Sequence, residues 1–189
     1  MDAISAPIQL DRRSDISLRS SDLSTHLQHR GNFYRVYGNL SVSRYSPDHG
    51  FICGSSDVYI IRPEHRLGPD AVKRHLDWTN GEPTNYISIY SSLEAAVKEC
   101  KCRLSQPRVY GMSRGKAEVA CISGLPKLNQ EGVFLFATAE LIEAKVLTSE
   151  DEYVNRNKWL VLDHIPATCV EDVVTARQLI ESFPCGFRD

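Results

Sequence analysis

One arginine and two serines are the residues of this sequence whose type and surroundings could bind an anion. Arg35 lies in the aromatic and β-branched run Phe33-Tyr34-Arg35-Val36-Tyr37. Its guanidinium is a planar fork that matches a phosphate group or orients a ribose. The competing interpretation is an arginine that faces solvent from an edge strand. Such arginines are common, and the strand by itself favours that interpretation.

The two serines, Ser88 and Ser91, flank Tyr90 where a short strand runs into a helix. At such a junction hydroxyl groups and free backbone N–H groups point the same way, and the helix dipole favours an anion. The competing interpretation is that Ser88 faces solvent and Ser91 only caps the helix. Taken alone, the stretch favours this second interpretation.

The helix that follows has clear sequence signals. Ser91 with Glu94 three residues later is a capping-box pattern that predicts the start of the helix. Apolar residues then recur at helical spacing and predict one buried face, made by Leu93, Ala96, Val97, Cys100 and Leu104.

The composition indicates a folded globular protein. The chain has 189 residues, 42% hydrophobic and 24% charged, with a net charge of -2. This balance gives no electrostatic reason to expect a nucleic acid or a membrane as partner. No apolar run could span a bilayer, and the N-terminus has no secretory pattern. We therefore expect a cytoplasmic protein, or a secreted effector whose signal peptide has been removed.

Known site motifs are missing from the sequence. The cysteine spacing fits no zinc pattern, so no metal site is predicted. We expect reduced thiols in a cytosolic protein, with a disulfide or two as the alternative if it is secreted. The sequence has no GxGxxG, GxxxxGK[ST] or GxSxG, and so supports no Rossmann, P-loop or hydrolase-elbow site.

The coarse order of elements predicts an α+β fold with many short strands and a few helices. Residues 1–30 are predicted to be a flexible arm, and residues 31–189 a single domain. Predicted strands are 32–38, 58–61, 86–90, 118–122, 133–136, 159–162 and 169–174. Predicted helices are 70–78, 93–104, 139–145 capped by Thr138, and 176–183 capped by Thr175.

The order of three segments resembles a known enzyme class. They are the Arg35 strand, the segment Ile87–Leu93 with its serines, and the segment Trp159–Pro166. This order resembles the Arg-Ser-Glu, cholera-toxin-like class of ADP-ribosyltransferases. It looks closest to an uncharacterised fungal domain family with that fold, which also shares patterns like Tyr45–Phe51 and Phe136–Leu141 here. The resemblance covers roughly residues 33–174 and implies an ADP-ribosyltransferase-like fold.

The resemblance implies a site for NAD, which is the substrate of such enzymes. Arg35 would contact a phosphate or ribose of NAD, and Ser88 would support the nicotinamide ribose. Ser91 would add a hydroxyl to the same site, and Tyr90 or Trp78 would stack on nicotinamide.

The sequence departs from the class at the catalytic position. The class has a glutamate before its third strand, and Lys158 stands there in this chain. A lysine has the wrong charge for a cationic, oxocarbenium-like transition state. Three explanations are open: transferase activity has been lost, an acidic residue of the preceding loop acts instead, or the alignment is off by a residue or more. The acidic residue assigned is Glu152, with Asp151 and Glu150 as its neighbours.

Two main functions follow from these observations. The first is an enzyme that transfers ADP-ribose from NAD to a macromolecular target, or hydrolyses NAD. The second is a degenerate module, a pseudoenzyme or effector, that binds a nucleotide or a protein partner. A third, plainer interpretation is an interaction domain without a nucleotide site, in which Arg35 and Ser88 would not share one cleft.

Overall fold

The structure is a computed structural model that describes residues 31–38, 41–55, 69–77, 82–105, 117–145, 147–148 and 157–183. The predicted arm at residues 1–30 and the predicted strand at 58–61 lie outside the described residues.

The described chain mixes strands and helices, which confirms the α+β class. The strands are β1 (Phe33–Gly38), β2 (Tyr45–Ser46), β3 (Gly50–Ile52), β4 (Tyr86–Tyr90), β5 (Ala117–Ile122), β6 (Leu135–Ala137), β7 (Lys158–Leu162), β8 (His164–Ile165) and β9 (Val170–Thr175). The helices are α1 (Pro69–Leu76), α2 (Leu93–Ser105), α3 (Leu125–Gln130), α4 (Thr138–Glu143) and α5 (Ala176–Ser182), with a 3₁₀ turn at Ala167–Cys169. None of the described helices is long and apolar enough to cross a membrane.

Two antiparallel sheets organise these elements. The larger sheet has the strand order β6-β7-β4-β1-β5-β9, and the smaller has the order β2-β3-β8. β1 pairs with β5 along all six of its residues. It pairs with β4 at one described residue pair, Tyr34 with Tyr90. The two central strands of the large sheet therefore share few backbone hydrogen bonds.

Both faces of the large sheet are buried. One face meets the small sheet, where Phe33 and Ile89 share a core with Phe51 of β3. The other face is covered by α2 and α5 through residues such as Val97 and Leu179. The predicted apolar face of α2 is confirmed, since Ala96, Val97 and Cys100 are buried, while Leu93 and Leu104 pack against the same core. This burial excludes water from the hydrogen bonds of the central strands.

Two predicted helix caps were wrong. The Ser92 hydroxyl, and not that of Ser91, accepts a hydrogen bond from the Ala95 N–H at 3.3 Å, so the cap lies one residue later than predicted. Thr138 is the first residue of α4 and not its cap, because its hydroxyl donates to the Lys158 carbonyl oxygen at 2.9 Å. The cap at Thr175 is confirmed by the Gln178 N–H, which donates to its hydroxyl.

The five cysteines that the structure describes are all free thiols, and four of them are buried. Burial raises the pKa of the Cys100 thiol to about 12, which keeps it protonated and unreactive.

Candidate functional site

Arg35 is buried in the middle of the large sheet, with 8% of its surface exposed. Its Nη1 donates a 2.7 Å hydrogen bond to the carbonyl oxygen of Ser88, and its Nη2 donates one of 3.4 Å to that of Ser43. Its guanidinium carbon lies 5.6 Å from the centroid of the Phe51 ring. The interpretation of Arg35 as a solvent-facing edge residue was therefore wrong. Burial, followed by the charge of Arg103, lowers the pKa of Arg35 to about 10.

The sparse pairing of β1 with β4 explains how a guanidinium fits here. Where the backbone ladder stops, the Ser88 carbonyl accepts a side-chain donor from β1 in place of a backbone donor. Two buried groups beside this contact have no hydrogen-bond partner among the described residues, namely Nε of Arg35 and the hydroxyl of Ser43. Such groups are costly when they are buried without a partner.

The Ser88 side chain belongs to a second hydrogen-bonded group. Its hydroxyl lies 2.8 Å from Nε2 of His75, and Nδ1 of that ring lies 2.5 Å from the Thr84 hydroxyl. The His75 and Tyr86 rings also pack in an edge-to-face arrangement, with centroids 5.6 Å apart. Burial, aided by the charges of Arg35 and Lys158, lowers the pKa of His75 to about 3. The ring is therefore neutral and holds the serine in one orientation.

Sequence reasoning missed His75. A signal for it exists, because His75 lies three residues after Val72 and beside Leu76, on the apolar face of α1. A histidine on an apolar helix face needs polar partners. Here they come from β4 and from the turn before it.

Lys158 lies next to the hydrogen-bonded group formed by Ser88 and His75. It pairs with Tyr90 across β4 and β7, and its ammonium nitrogen lies 5.8 Å from the centroid of the Tyr90 ring. Burial lowers the pKa of Lys158; the charge of Glu99 opposes that shift, and the charges of Arg103 and Arg35 add to it. Lys158 and Arg35 therefore interact electrostatically across β4.

An ion pair on α2 completes the cluster of charged side chains around Tyr90. Nε of Arg103 lies 2.6 Å from a carboxylate oxygen of Glu99, one helical turn away, and Arg103 Nη1 donates to the Ser41 hydroxyl at 3.1 Å. The pKa of the Tyr90 phenol is raised by burial first and then by the charge of Glu99. The described residues thus place three cations and one carboxylate around Tyr90. Such a set of charges favours an anionic ligand.

The structure brings together Arg35, Ser88 and Tyr90 of the predicted site residues, and it adds Lys158 to them. Ser91 lies apart in its contacts, because its N–H and its hydroxyl both bond to the carbonyl oxygen of Asn157, at 3.0 and 3.4 Å. Trp78 and the predicted catalytic residue Glu152, with its acidic neighbours, lie outside the described residues.

A family model for DUF7587, a domain of unknown function, matches residues 28–179. The chain belongs to this family. Arg35, Ser88, His75 and Lys158 all fall inside the matched range of this DUF7587 domain.

The structure is also similar to a solved one, EcPltA, with 16% identity and a TM-score of 0.45. The match covers 78% of this chain and 77% of that one. Similarity at this level assigns neither an activity nor a ligand to the DUF7587 domain. None of the curated proteins matches the sequence.

Proposed function

We propose that this chain is an ADP-ribosyltransferase-like module that binds a phosphate-bearing nucleotide of the NAD class and does not transfer ADP-ribose. The observation that carries the proposal is the buried guanidinium of Arg35, bonded to Ser88 and within the electrostatic reach of Lys158. The sequence resemblance gives Arg35 and Ser88 roles in binding NAD. It places Lys158 at the position of a catalytic glutamate.

The contacts around Arg35 support the binding of a phosphate. Nη1 and Nη2 are held by two backbone carbonyl oxygens, so the guanidinium is fixed before a ligand arrives. Its Nε has no partner among the described residues. A donor fixed in this way loses little side-chain entropy when it binds a phosphate. The Ser88 hydroxyl, oriented by His75, is a second polar group nearby.

The charges around Tyr90 argue against transfer. Loss of nicotinamide from NAD⁺ develops positive charge on the ribose, and a carboxylate stabilises that charge. Lys158 would repel it. The carboxylate of Glu99 lies in the same cluster, but it is engaged by Arg103 at 2.6 Å. The expected outcome is therefore binding of the nucleotide without release of nicotinamide.

The test is a calorimetric titration of the full chain with NAD⁺ and with ADP-ribose, run beside an assay for free nicotinamide. The variant Arg35→Lys keeps the positive charge but removes the planar, forked guanidinium. We expect it to weaken binding of the nucleotide at least about tenfold. Arg177→Lys, on the exposed side of α5, is the matched control and should bind as the wild type does. Binding that is unchanged in Arg35→Lys, or absent in the wild type, would refute the proposal.

An active transferase is the second candidate, and the position of Glu99 favours it. The charge of Glu99 acts on Arg35, Tyr90 and Lys158, so a carboxylate does lie near the predicted site. In this alternative Glu152 is the proposed catalytic residue, and a protein is the proposed acceptor of ADP-ribose. Release of nicotinamide that disappears in Glu152→Gln would establish it. Loss in Glu99→Gln alone would move the catalytic role to α2.

A further inference from the structure

We infer that the site selects a nucleoside diphosphate whose far end is uncharged, so that it binds NADH and ADP-ribose more tightly than NAD⁺. This inference rests on the proposed function and specifies its ligand. NAD⁺ and NADH have nearly the same size and shape. NADH carries one added hydride, which removes the positive charge that the nicotinamide ring has in NAD⁺.

The imbalance of charge around Tyr90 supports this selection. Arg35, Lys158 and Arg103 are cations from three different elements, and Glu99 is the carboxylate that the structure places among them. A phosphate gains from this surplus of positive charge. A nicotinamide cation that reached the same cluster would be repelled, and the repulsion is strong because the groups are partly shielded from water.

The ring of Tyr90 also favours an uncharged ligand. The sequence predicts Tyr90 as a residue that would stack on nicotinamide. In the structure the ammonium of Lys158 lies 5.8 Å from the centroid of that ring, within the range of a cation–π contact. The electron-rich face that would attract a cationic ring therefore already has a cation beside it. An uncharged ring or sugar meets no such competition.

The backbone explains why Lys158 cannot easily move away. It belongs to β7 and is paired with Tyr90 in the β4–β7 ladder. Its carbonyl oxygen also accepts a hydrogen bond from the Thr138 hydroxyl, and Thr138 is fully buried. The start of the lysine side chain is therefore fixed beside the ring, and only its far end is free to adjust.

The experiment is three separate titrations at pH 7 and low salt, with NAD⁺, NADH and ADP-ribose as the ligands. In the wild type we expect NADH to bind roughly five- to tenfold more tightly than NAD⁺. Lys158→Met keeps the length of the side chain without its charge. In this variant the affinities for NADH and NAD⁺ should lie within about twofold of each other. Lys158→Glu should reverse the preference. The control is Lys127→Met, which removes a half-buried lysine of α3 that is paired with Glu131, and should keep the wild-type ratio of the two affinities.

The outcomes separate the two proposals. Equal affinity for NAD⁺ and NADH in the wild type, with binding still lost in Arg35→Lys, would overturn the inference and leave the proposed function in place. A preference for NADH that survives in Lys158→Met would also overturn it. If no nucleotide binds, the proposed function fails and the inference fails with it. Thermal unfolding of each variant shows whether a loss of binding is a loss of fold.

Discussion

Arg35 and Ser88 are 53 residues apart in the sequence, and the guanidinium of the first donates a 2.7 Å hydrogen bond to the carbonyl oxygen of the second. The contact joins β1 to β4 beside the described residue pair at which the two strands meet. The Arg35 side chain therefore has two roles. It completes the bonding between the central strands, and it presents a buried cation to the candidate site.

The first prediction concerns the structural task of Arg35. We expect Arg35→Ala to lower the free energy of unfolding by about 2 to 4 kcal/mol, because two backbone carbonyls lose a charged donor. Chemical denaturation measures this loss. Arg177→Ala should stay within about 0.5 kcal/mol of the wild type, since that side chain is exposed on α5. A loss no larger than that of the control would show that the contact does not stabilise the sheet.

The second prediction concerns Lys158 and catalysis. If the lysine alone prevents transfer, Lys158→Glu should release nicotinamide from NAD⁺ above the wild-type rate, because it supplies a carboxylate beside Tyr90. Lys158→Gln removes the cation without adding an acid, and should show no such gain. A folded Lys158→Glu variant that binds NAD⁺ without turnover would show that the site has diverged at more than this residue.

The third prediction follows from His75. Its pKa falls from 6.5 to about 3 in the folded chain, so between these values the unfolded chain binds a proton that the folded chain does not. Stability is therefore lost as the pH falls below about 6.5, by up to about 1.4 kcal/mol of unfolding free energy per pH unit. In His75→Gln this contribution is absent, and the stability curve should be flatter between about pH 6 and pH 4.

The control for this prediction is His164→Gln, because His164 is exposed. It should lose stability with falling pH as steeply as the wild type does. Equal slopes in His75→Gln and the wild type would contradict a neutral, half-buried His75. Nucleotide affinity gives a further readout: His75→Ala should bind more weakly than His75→Gln, whose amide can still hold the Ser88 hydroxyl.

The fourth prediction concerns the start of α2. We expect Ser92→Ala to cost about 1 kcal/mol of unfolding free energy, since its hydroxyl caps the helix through the Ala95 N–H. Ser91→Ala should cost less than about 0.5 kcal/mol, because it loses one long and exposed hydrogen bond to Asn157. A larger loss in Ser91→Ala, measured by denaturation, would return the cap to the residue that the sequence pattern predicts.

The sequence by itself determined the elements whose signals are local. Runs of aromatic, β-branched and other apolar residues predicted most of the described strands, and helical spacing predicted the buried face of α2, because these signals are local to each segment. It also selected Arg35, Ser88 and Lys158, through residue type and through a resemblance in the order of segments. These choices needed no knowledge of which strands pair.

Only the tertiary structure decided how these residues meet. The antiparallel register of β4 and β7 puts Lys158 opposite Tyr90, and the packing of α1 carries His75 to the Ser88 hydroxyl. The cap of α2 moved from Ser91 to Ser92 because Ser91 is held by Asn157, 66 residues away. These are non-local contacts set by sheet order and helix packing. A pattern read along a single chain does not contain them.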